Sequence, residues 1–193
     1  MSGKLYLVAT PIGNLEDITI RALNVLKNVD LIAAEDTRHT LGLLNHFEIN
    51  KPLISYYKET EKKKSPILIE KLLNGTNIAL VSDAGTPGIS DPGEEIVKEA
   101  IKNNIDIIPI PGACAFVTAL ISSGMNTKEF SFMGFLSANK KERKDKLEEI
   151  KYKHTCCYKK YWQYRVKIFF SFFIEHYSHI RRQTKIRFNC RNS

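Results

Sequence analysis

The chain has 193 residues and, with 29 lysines and arginines against 21 acidic residues, a net charge of +8. This length is enough for one large domain or two small ones with a buried core. The sequence has no run of eighteen apolar residues and no secretory signal at its N-terminus, which argues against a membrane span and against secretion. The four cysteines show neither paired nor C-x-x-C spacing, which is typical of a reducing cytoplasm. We therefore expect a cytoplasmic protein that binds neither a membrane nor a metal ion.

Short apolar runs alternate with amphipathic segments over the first 123 residues. Strands are predicted at residues 4–9, 31–34, 54–57, 78–81 and 106–110. Helices are predicted at residues 18–29, 41–47, 67–73, 94–102 and 114–123, and Asp17 is the expected N-cap of the first helix. This alternation is typical of an α/β fold in which a mostly parallel sheet carries helices on its faces.

The segment LVSDAGTPGISDPG at residues 80–93 follows the fourth predicted strand and precedes a helix. Its three glycines and two prolines lie within nine residues, so its main-chain groups can come close to a ligand. In α/β folds, ligands bind at the carboxyl ends of the strands, which is where this loop lies. The alternative is an ordinary long connection.

The carboxyl ends of parallel strands meet at one edge of a sheet, so the segments that follow them are neighbours in space. Here these segments are residues 10–14, 35–38, 82–93 and 111–113. We expect a small-molecule pocket at this edge. Neither a P-loop nor a dinucleotide-binding glycine motif is present, which argues against nucleotide hydrolysis and dinucleotide binding.

Four segments carry a resemblance to a known family: VATPIGNLEDIT at 8–19, AEDTR at 34–38, VSDAGTPGISDPG at 81–93 and PGACAFVTAL at 111–120. They resemble the signature segments of the ribosomal RNA small-subunit methyltransferase I family, a branch of the tetrapyrrole methylase superfamily. The resemblance covers residues 4 to about 150. It implies S-adenosylmethionine as methyl donor, 2′-O-methylation of a cytidine ribose in 16S rRNA of the small ribosomal subunit, and a two-domain homodimer with the cofactor between the domains. The alternatives are a methylase of a small tetrapyrrole, or a catalytically inactive fragment.

The resemblance also implies roles for individual residues. The cofactor-binding residues are Ser82, Asp83, Ala84, Gly85, Thr86, Pro87, Pro111, Gly112 and Ala113. The residues near the transferred methyl group and the substrate are Thr10, Pro11, Gly13, Asn14, Thr37 and Arg38. Methyl transfer needs little acid–base help, but a carboxylate can deprotonate a ribose hydroxyl, which makes Glu35 and Asp36 candidate bases. The alternative is that these two carboxylates bind loop backbone or pair with Arg38.

A basic segment, GFLSANKKERKDKLEEI at 134–150, resembles the family's linker between its two halves. Its cations can meet RNA phosphates, and the predicted contacts are Lys140, Lys141, Arg143 and Lys144. Acidic residues alternate with these cations at helical spacing, so a solvated helix with internal ion pairs is the alternative. We expect a first domain at residues 1–112 and the start of a second domain at residues 113–150.

The composition changes abruptly after residue 150. Residues 151–193 carry 11 lysines and arginines against the single acid Glu175, and contain neither glycine nor proline. The family resemblance stops here, and we interpret this tail as the product of a shifted reading frame or a truncation that disrupts the second domain. Alternatively, its basic and aromatic residues bind RNA, or the apolar residues 168–174 touch a membrane surface.

Overall fold

The structure of the protein is a computed structural model that describes residues 2–150, 156–159 and 168–170. These residues divide into two compact units, with the boundary between Cys114 and Ala115. Within them, no helix is both long and apolar enough to cross a membrane, and no group of acidic, histidine or cysteine side chains is arranged to hold a metal ion. The predicted domain boundaries at residues 112 and 150 stay predictions.

The first unit alternates strands and helices, as its hydrophobic pattern predicts. Its strands are β1 (Leu5–Val8), β2 (Leu31–Ala34), β3 (Leu53–Ser55), β4 (Ile78–Val81) and β5 (Ile107–Ile110). Its helices are α1 (Ile20–Asn28), α2 (Thr37–His46), α3 (Glu61–Leu73) and α4 (Glu94–Lys102), with short 3-10 turns at Leu15–Asp17 and Lys58–Thr60. Each strand and helix predicted up to residue 110 is present.

The five strands form one sheet in the order β3-β2-β4-β1-β5, and every pair in it is parallel. The expected α/β fold is therefore confirmed. Strand β4 lies at the centre, where Leu80 is paired with Leu7 of β1 on one side and with Ala33 of β2 on the other. Because all strands run in one direction, the segments that follow them lie along a single edge.

Two hydrophobic clusters cover the two faces of this sheet. Within β4, Ile78 and Leu80 belong to one cluster, whereas Ala79 and Val81 belong to the other, as the alternation of strand side chains requires. Helices α3 and α4 supply Leu68, Leu72, Ile96 and Ala100 to the first cluster, and α1 and α2 supply Ala22, Leu26 and Leu44 to the second. Burial of each large aliphatic side chain contributes about 1.5–3 kcal/mol to folding, so this double-sided core holds the sheet edge in place.

The prediction of Asp17 as the N-cap of α1 is wrong. Asp17 ends the 3-10 turn Leu15–Asp17, and the cap is Thr19, whose Oγ1 accepts a hydrogen bond from the Ala22 amide at 3.0 Å. The 3-10 turn contains the residue that was expected to cap α1, so α1 starts later than its hydrophobic periodicity suggests.

The second unit contains helices α5 (Ala115–Ser122) and α6 (Lys140–Ile150) and strands β6 (Ser131–Phe135), β7 (Cys156–Lys159) and β8 (Ile168–Phe170). Strand β7 pairs parallel with β6 and antiparallel with β8. The helix expected at residues 114–123 is therefore present as α5. Apart from β7 and β8, the tail at residues 151–193 lies outside the described residues, and its origin stays a prediction.

Candidate functional site

A cavity of about 450 Å³ opens at the carboxyl edge of the parallel sheet. Its walls come from the segments that follow β1, β2 and β4. The lining residues are Thr10, Pro11, Gly13, Asn14, Leu15, Arg38, His39, Gly42, Leu43 and Asp83. Residues from three separate motifs thus meet in one cavity, at the edge where a pocket was expected.

The first residues of the glycine-rich loop (residues 82–93) are hydrogen-bonded to the segment that follows β1. Thr10 and Gly85 exchange main-chain hydrogen bonds of 2.9 and 3.0 Å as an isolated antiparallel bridge. The Thr10 hydroxyl donates to the Ser82 carbonyl at 3.0 Å, and the Ser82 hydroxyl donates to the Gly85 carbonyl at 3.1 Å. Gly85 has a φ of +94°, a value that side chains disfavour. The Ser82 hydroxyl is therefore used within the loop itself.

A second set of bonds ties the loop to the segment after β2. The Asp83 amide donates to Glu35 Oε2 at 3.3 Å, and the Asp36 amide donates to Asp83 Oδ1 at 3.0 Å. Each segment thus provides one carboxylate for an amide of the other. This exchange holds Glu35 and Asp83 in fixed positions beside the cavity.

Asp36 forms an ion pair with Arg38 and caps helix α2. Its Oδ1 accepts from the Arg38 amide at 2.9 Å and from Arg38 Nε at 3.1 Å, while Oδ2 accepts from Nη2 at 2.8 Å. The Arg38 side-chain hydrogen bonds, supported by its backbone amide, lower the pKa of Asp36 to about 2. A carboxylate with so low a proton affinity is a weak general base, which favours the structural interpretation of Asp36. Thr37 lies beside it, in the first turn of α2.

The two turns expected to bind the cofactor lie side by side. The Thr86 hydroxyl donates to the Ala113 carbonyl at 3.2 Å. A Cβ on Gly112 would lie 2.8 Å from the Ala9 Cβ, so this turn approaches β1 more closely than a side chain permits. Ala84, Pro111 and Gly112 are exposed, whereas Pro87 is buried. The structure thus brings both turns to the edge that carries the cavity.

The far end of the glycine-rich loop is held by Glu61, which sequence reasoning missed. Glu61 Oε1 accepts from the Gly93 amide at 2.7 Å and from the Tyr56 hydroxyl at 3.4 Å. The Tyr56 oxygen also lies 2.8 Å from Ser65 Oγ, and burial raises the pKa of Tyr56 to about 12. The only sequence signal was an acidic residue at the start of a helix, which is too common to single out Glu61.

Four further cavity residues were not predicted: Leu15, His39, Gly42 and Leu43. Gly42 and Leu43 lie three and four positions after His39, and this spacing places all three on one face of α2. Extending the predicted helix backwards from Leu41 to the AEDTR motif could have placed these three residues on one helix, whereas no comparable pattern marks Leu15.

The predicted RNA-contacting cations lie on α6, in the second unit. In the described ranges, Lys140, Lys141 and Lys144 are exposed and make no ion pair, whereas Lys146 pairs with Glu149 at 2.8 Å. Arg143 donates to the carbonyls of Ser137 and Ala138 at 3.2 and 3.1 Å. Three of the four predicted cations therefore extend from the helix without a charged partner in the described chain.

Comparison with known proteins gives one family. The family model described as "Tetrapyrrole (Corrin/Porphyrin) Methylases" matches residues 4–176. The proteins named "Ribosomal RNA small subunit methyltransferase I" from Halalkalibacterium halodurans and Haemophilus influenzae are 59% and 56% identical to this chain, over 77% and 78% of its length and 52% and 53% of theirs. The chain thus spans about half the length of the curated relatives it matches.

Solved structures agree in fold. A crystal structure of diphthine synthase superposes with a TM-score of 0.66 at 14% identity, covering 84% of this chain and 66% of that one. Uroporphyrin III C-methyltransferase from Thermus thermophilus superposes with a TM-score of 0.56 at 18% identity, covering 81% of this chain and 70% of the other. At these identities the likeness concerns the fold alone.

Proposed function

Because the chain belongs to the tetrapyrrole methylase family, we propose that it takes part in S-adenosylmethionine-dependent 2′-O-methylation of a cytidine ribose in 16S rRNA of the small ribosomal subunit. The observation that carries the proposal is the cavity, in which the TPIGN, DTR and SDAG segments converge. The same segments lie within residues 4–176, which match the family model, and a protein named as an rRNA small-subunit methyltransferase is 59% identical to this chain over 149 residues. A small-tetrapyrrole methylase and an inactive fragment are the alternatives.

The two side-by-side turns fit S-adenosylmethionine as the methyl donor. Gly112 packs closely against Ala9 and is exposed on its other side, so no side chain blocks access to the main chain there. The main-chain carbonyl oxygens of these two turns are hydrogen-bond acceptors, which suit the ammonium group and the adenine amine of this cofactor. Residues 82–87 and 111–113 would hold it.

When bound, S-adenosylmethionine supplies an electrophilic methyl group, so the protein mainly has to align the ribose oxygen and exclude water. Pro11, Leu15 and Leu43 give the cavity apolar walls, which favour the removal of water. Arg38 presents its guanidinium at the cavity with its side chain 90% exposed, and can attract a phosphate although it is paired with Asp36.

Lys140, Lys141 and Lys144 are the proposed contacts to the RNA backbone in the second unit. Exposed ammonium groups without a charged partner bind phosphates by releasing counterions, a mode of binding that weakens as salt rises. A homodimer, which the family resemblance implies, and a cytoplasmic location, which the cysteine usage predicts, are further parts of the proposal.

The experiment is transfer of labelled methyl from S-adenosylmethionine to small ribosomal subunits from cells that lack the modification. Label at a cytidine 2′-oxygen supports the proposal. No label, while a full-length relative is active in the same assay, marks the chain as an inactive fragment. Label on a precorrin-type tetrapyrrole but not on subunits replaces the proposed function with the small-molecule alternative.

A further inference from the structure

Four lysines lie within seven consecutive residues, 58–64, which form the 3-10 turn after β3 and the start of α3. The first unit as a whole is acidic, because residues 1–114 carry 12 lysines and arginines against 15 aspartates and glutamates. One third of the cations of this unit are therefore concentrated in one short segment.

Folding of α3 does not account for these lysines. Lys62 and Lys63 lie in the first turn of α3, and Lys58 lies in the 3-10 turn before it. A helix N-terminus carries partial positive charge, so cations there destabilise the helix. In the described part of the chain these three lysines are exposed and form no ion pair. Residues that break a local rule without a structural gain are expected at functional sites.

An exposed aromatic ring adjoins the lysines. Tyr57 directly precedes Lys58 and is 40% exposed. Lys64 Nζ lies 5.8 Å from the centroid of the Tyr57 ring, and the same ammonium donates to the carbonyl and the hydroxyl of Ser55 in β3. The ring is thus supported by a cation that is itself bonded to the sheet, so little ordering is needed before a base stacks on it.

This segment lies at the same edge of the sheet as the cavity. The Tyr56 amide donates to the carbonyl of Ala34, the last residue of β2, at 2.7 Å. The segment that brings Arg38 to the cavity begins directly after Ala34. An RNA strand with one nucleotide in the cavity can therefore continue along this edge to the lysines.

We propose that Tyr57, Lys58, Lys62 and Lys63, which we call the β3–α3 patch, form an RNA-binding surface of the first unit. The inference rests on the proposed function for its partner, RNA. The tyrosine ring stacks on an unpaired base near the target nucleotide, and the three ammonium groups contact phosphates of the same strand. An aromatic ring among cations suits single-stranded RNA better than an acidic protein, which offers no base for stacking.

The charge of the β3–α3 patch is tested in the full chain by the triple substitution Lys58→Gln, Lys62→Gln and Lys63→Gln. Kd is measured at several salt concentrations for a single-stranded RNA oligonucleotide that spans the methylated cytidine. At about 0.15 M salt we expect Kd to rise about tenfold or more. The slope of log Kd against log salt should become shallower by about 2, since each lost phosphate contact removes about 0.7 for a single strand.

The matched control removes the same charge from exposed lysines elsewhere in the first unit, by Lys71→Gln, Lys98→Gln and Lys102→Gln. This control should change Kd less than about twofold. Thermal melting separates binding from folding. The patch variant should melt at the wild-type temperature or above it, because it loses cations near a helix N-terminus, whereas a folding role for the lysines requires a lower melting temperature.

The ring is tested by Tyr57→Ala and Tyr57→Phe. Tyr57→Ala should raise the Kd of the RNA about fivefold or more, the lower end of the effect of base stacking, whereas Tyr57→Phe keeps the ring and should stay within about twofold. Heparin, a polyanion without bases, is the second probe. Tyr57→Ala should leave the Kd of heparin within about twofold, and the triple lysine variant should raise it.

The outcomes separate this inference from the proposed function. An unchanged Kd of the RNA in the triple lysine variant or in Tyr57→Ala overturns the β3–α3 patch, as does an equal loss in the control variant. Equal losses of RNA and heparin affinity in Tyr57→Ala also overturn it, because the ring then stacks on no base. A wild-type chain that binds no RNA overturns it as well. A chain that binds RNA through the patch but methylates no subunit overturns the proposed function and leaves the patch in place.

Discussion

Substitution of Glu61 by alanine should weaken the attachment of the C-terminal end of the glycine-rich loop to helix α3. Glu61 is the first residue of α3, and its Oε1 accepts from the Gly93 amide at 2.7 Å. Gly93 is buried and has a φ of +146°, and a Cβ there would lie 3.0 Å from Leu80 Cδ2. The Gly93 amide therefore has little freedom to move towards another hydrogen-bond acceptor once the Glu61 carboxylate is removed.

The size of the effect follows from this hydrogen bond. A bond to a charged group contributes about 1.5–3 kcal/mol, and loss of its acceptor leaves a buried amide unsatisfied. Glu61 is half-buried, so water replaces part of the lost interaction, and we expect the free energy of unfolding to fall by about 2 kcal/mol. Glu61→Gln keeps a carbonyl acceptor and should cost about 1 kcal/mol or less.

The assay combines urea unfolding with hydrogen exchange. The unfolding midpoint should fall in the order wild type, Glu61→Gln, Glu61→Ala. The Gly93 amide should exchange about tenfold faster or more in Glu61→Ala, because a loss of 1.4 kcal/mol of local protection corresponds to a factor of ten. Ile20→Ala, at a side chain that is 80% exposed, is the control and should change neither quantity.

One result would refute the reasoning about Glu61. If Gly93 exchanges at the wild-type rate in Glu61→Ala while the protein remains folded, the carboxylate does not hold the loop. Equal destabilisation by glutamine and alanine would show that the charge, rather than an acceptor at this position, stabilises the segment.

Two further predictions concern the same edge. The pKa of Asp36 is lowered to about 2, so the contribution of this carboxylate to stability is present above its ordinary pKa of 3.8 and is lost as the pH falls towards 2. The substitution Arg38→Met should return the pKa of Asp36 towards 3.8. A carboxyl carbon NMR titration of this variant that still gives a pKa of about 2 would contradict the assignment. Gly112→Ala should lower the free energy of unfolding by about 1–3 kcal/mol, because the new Cβ would meet the Ala9 Cβ at 2.8 Å. The matched change Gly42→Ala, in the α2 interior with open space around it, should raise that free energy by about 0.5–1 kcal/mol, and denaturant unfolding that finds equal effects would refute the packing argument.

The sequence by itself determined the strands and helices of the first unit and the edge of the sheet at which the cavity lies. Strand β4 is four consecutive apolar residues followed by turn formers, and α4 was predicted with the bounds that the structure shows, Glu94–Lys102. Such elements depend on periodicity over a few neighbouring residues, which can be seen directly in the sequence. Parallel strands then place the segments after them on one edge, so the position of the cavity followed from the topology.

Only the tertiary structure decided what each polar residue at that edge does. The Asp36 amide bonds Asp83 47 positions away, and the Gly93 amide bonds Glu61 32 positions away. A sequence pattern shows that Glu35, Asp36 and Asp83 are acidic, but not which amide each of them accepts from or which one lines the cavity. That choice depends on the packing of segments distant in sequence, where a hydrogen bond forms only if two groups come within about 3 Å of each other.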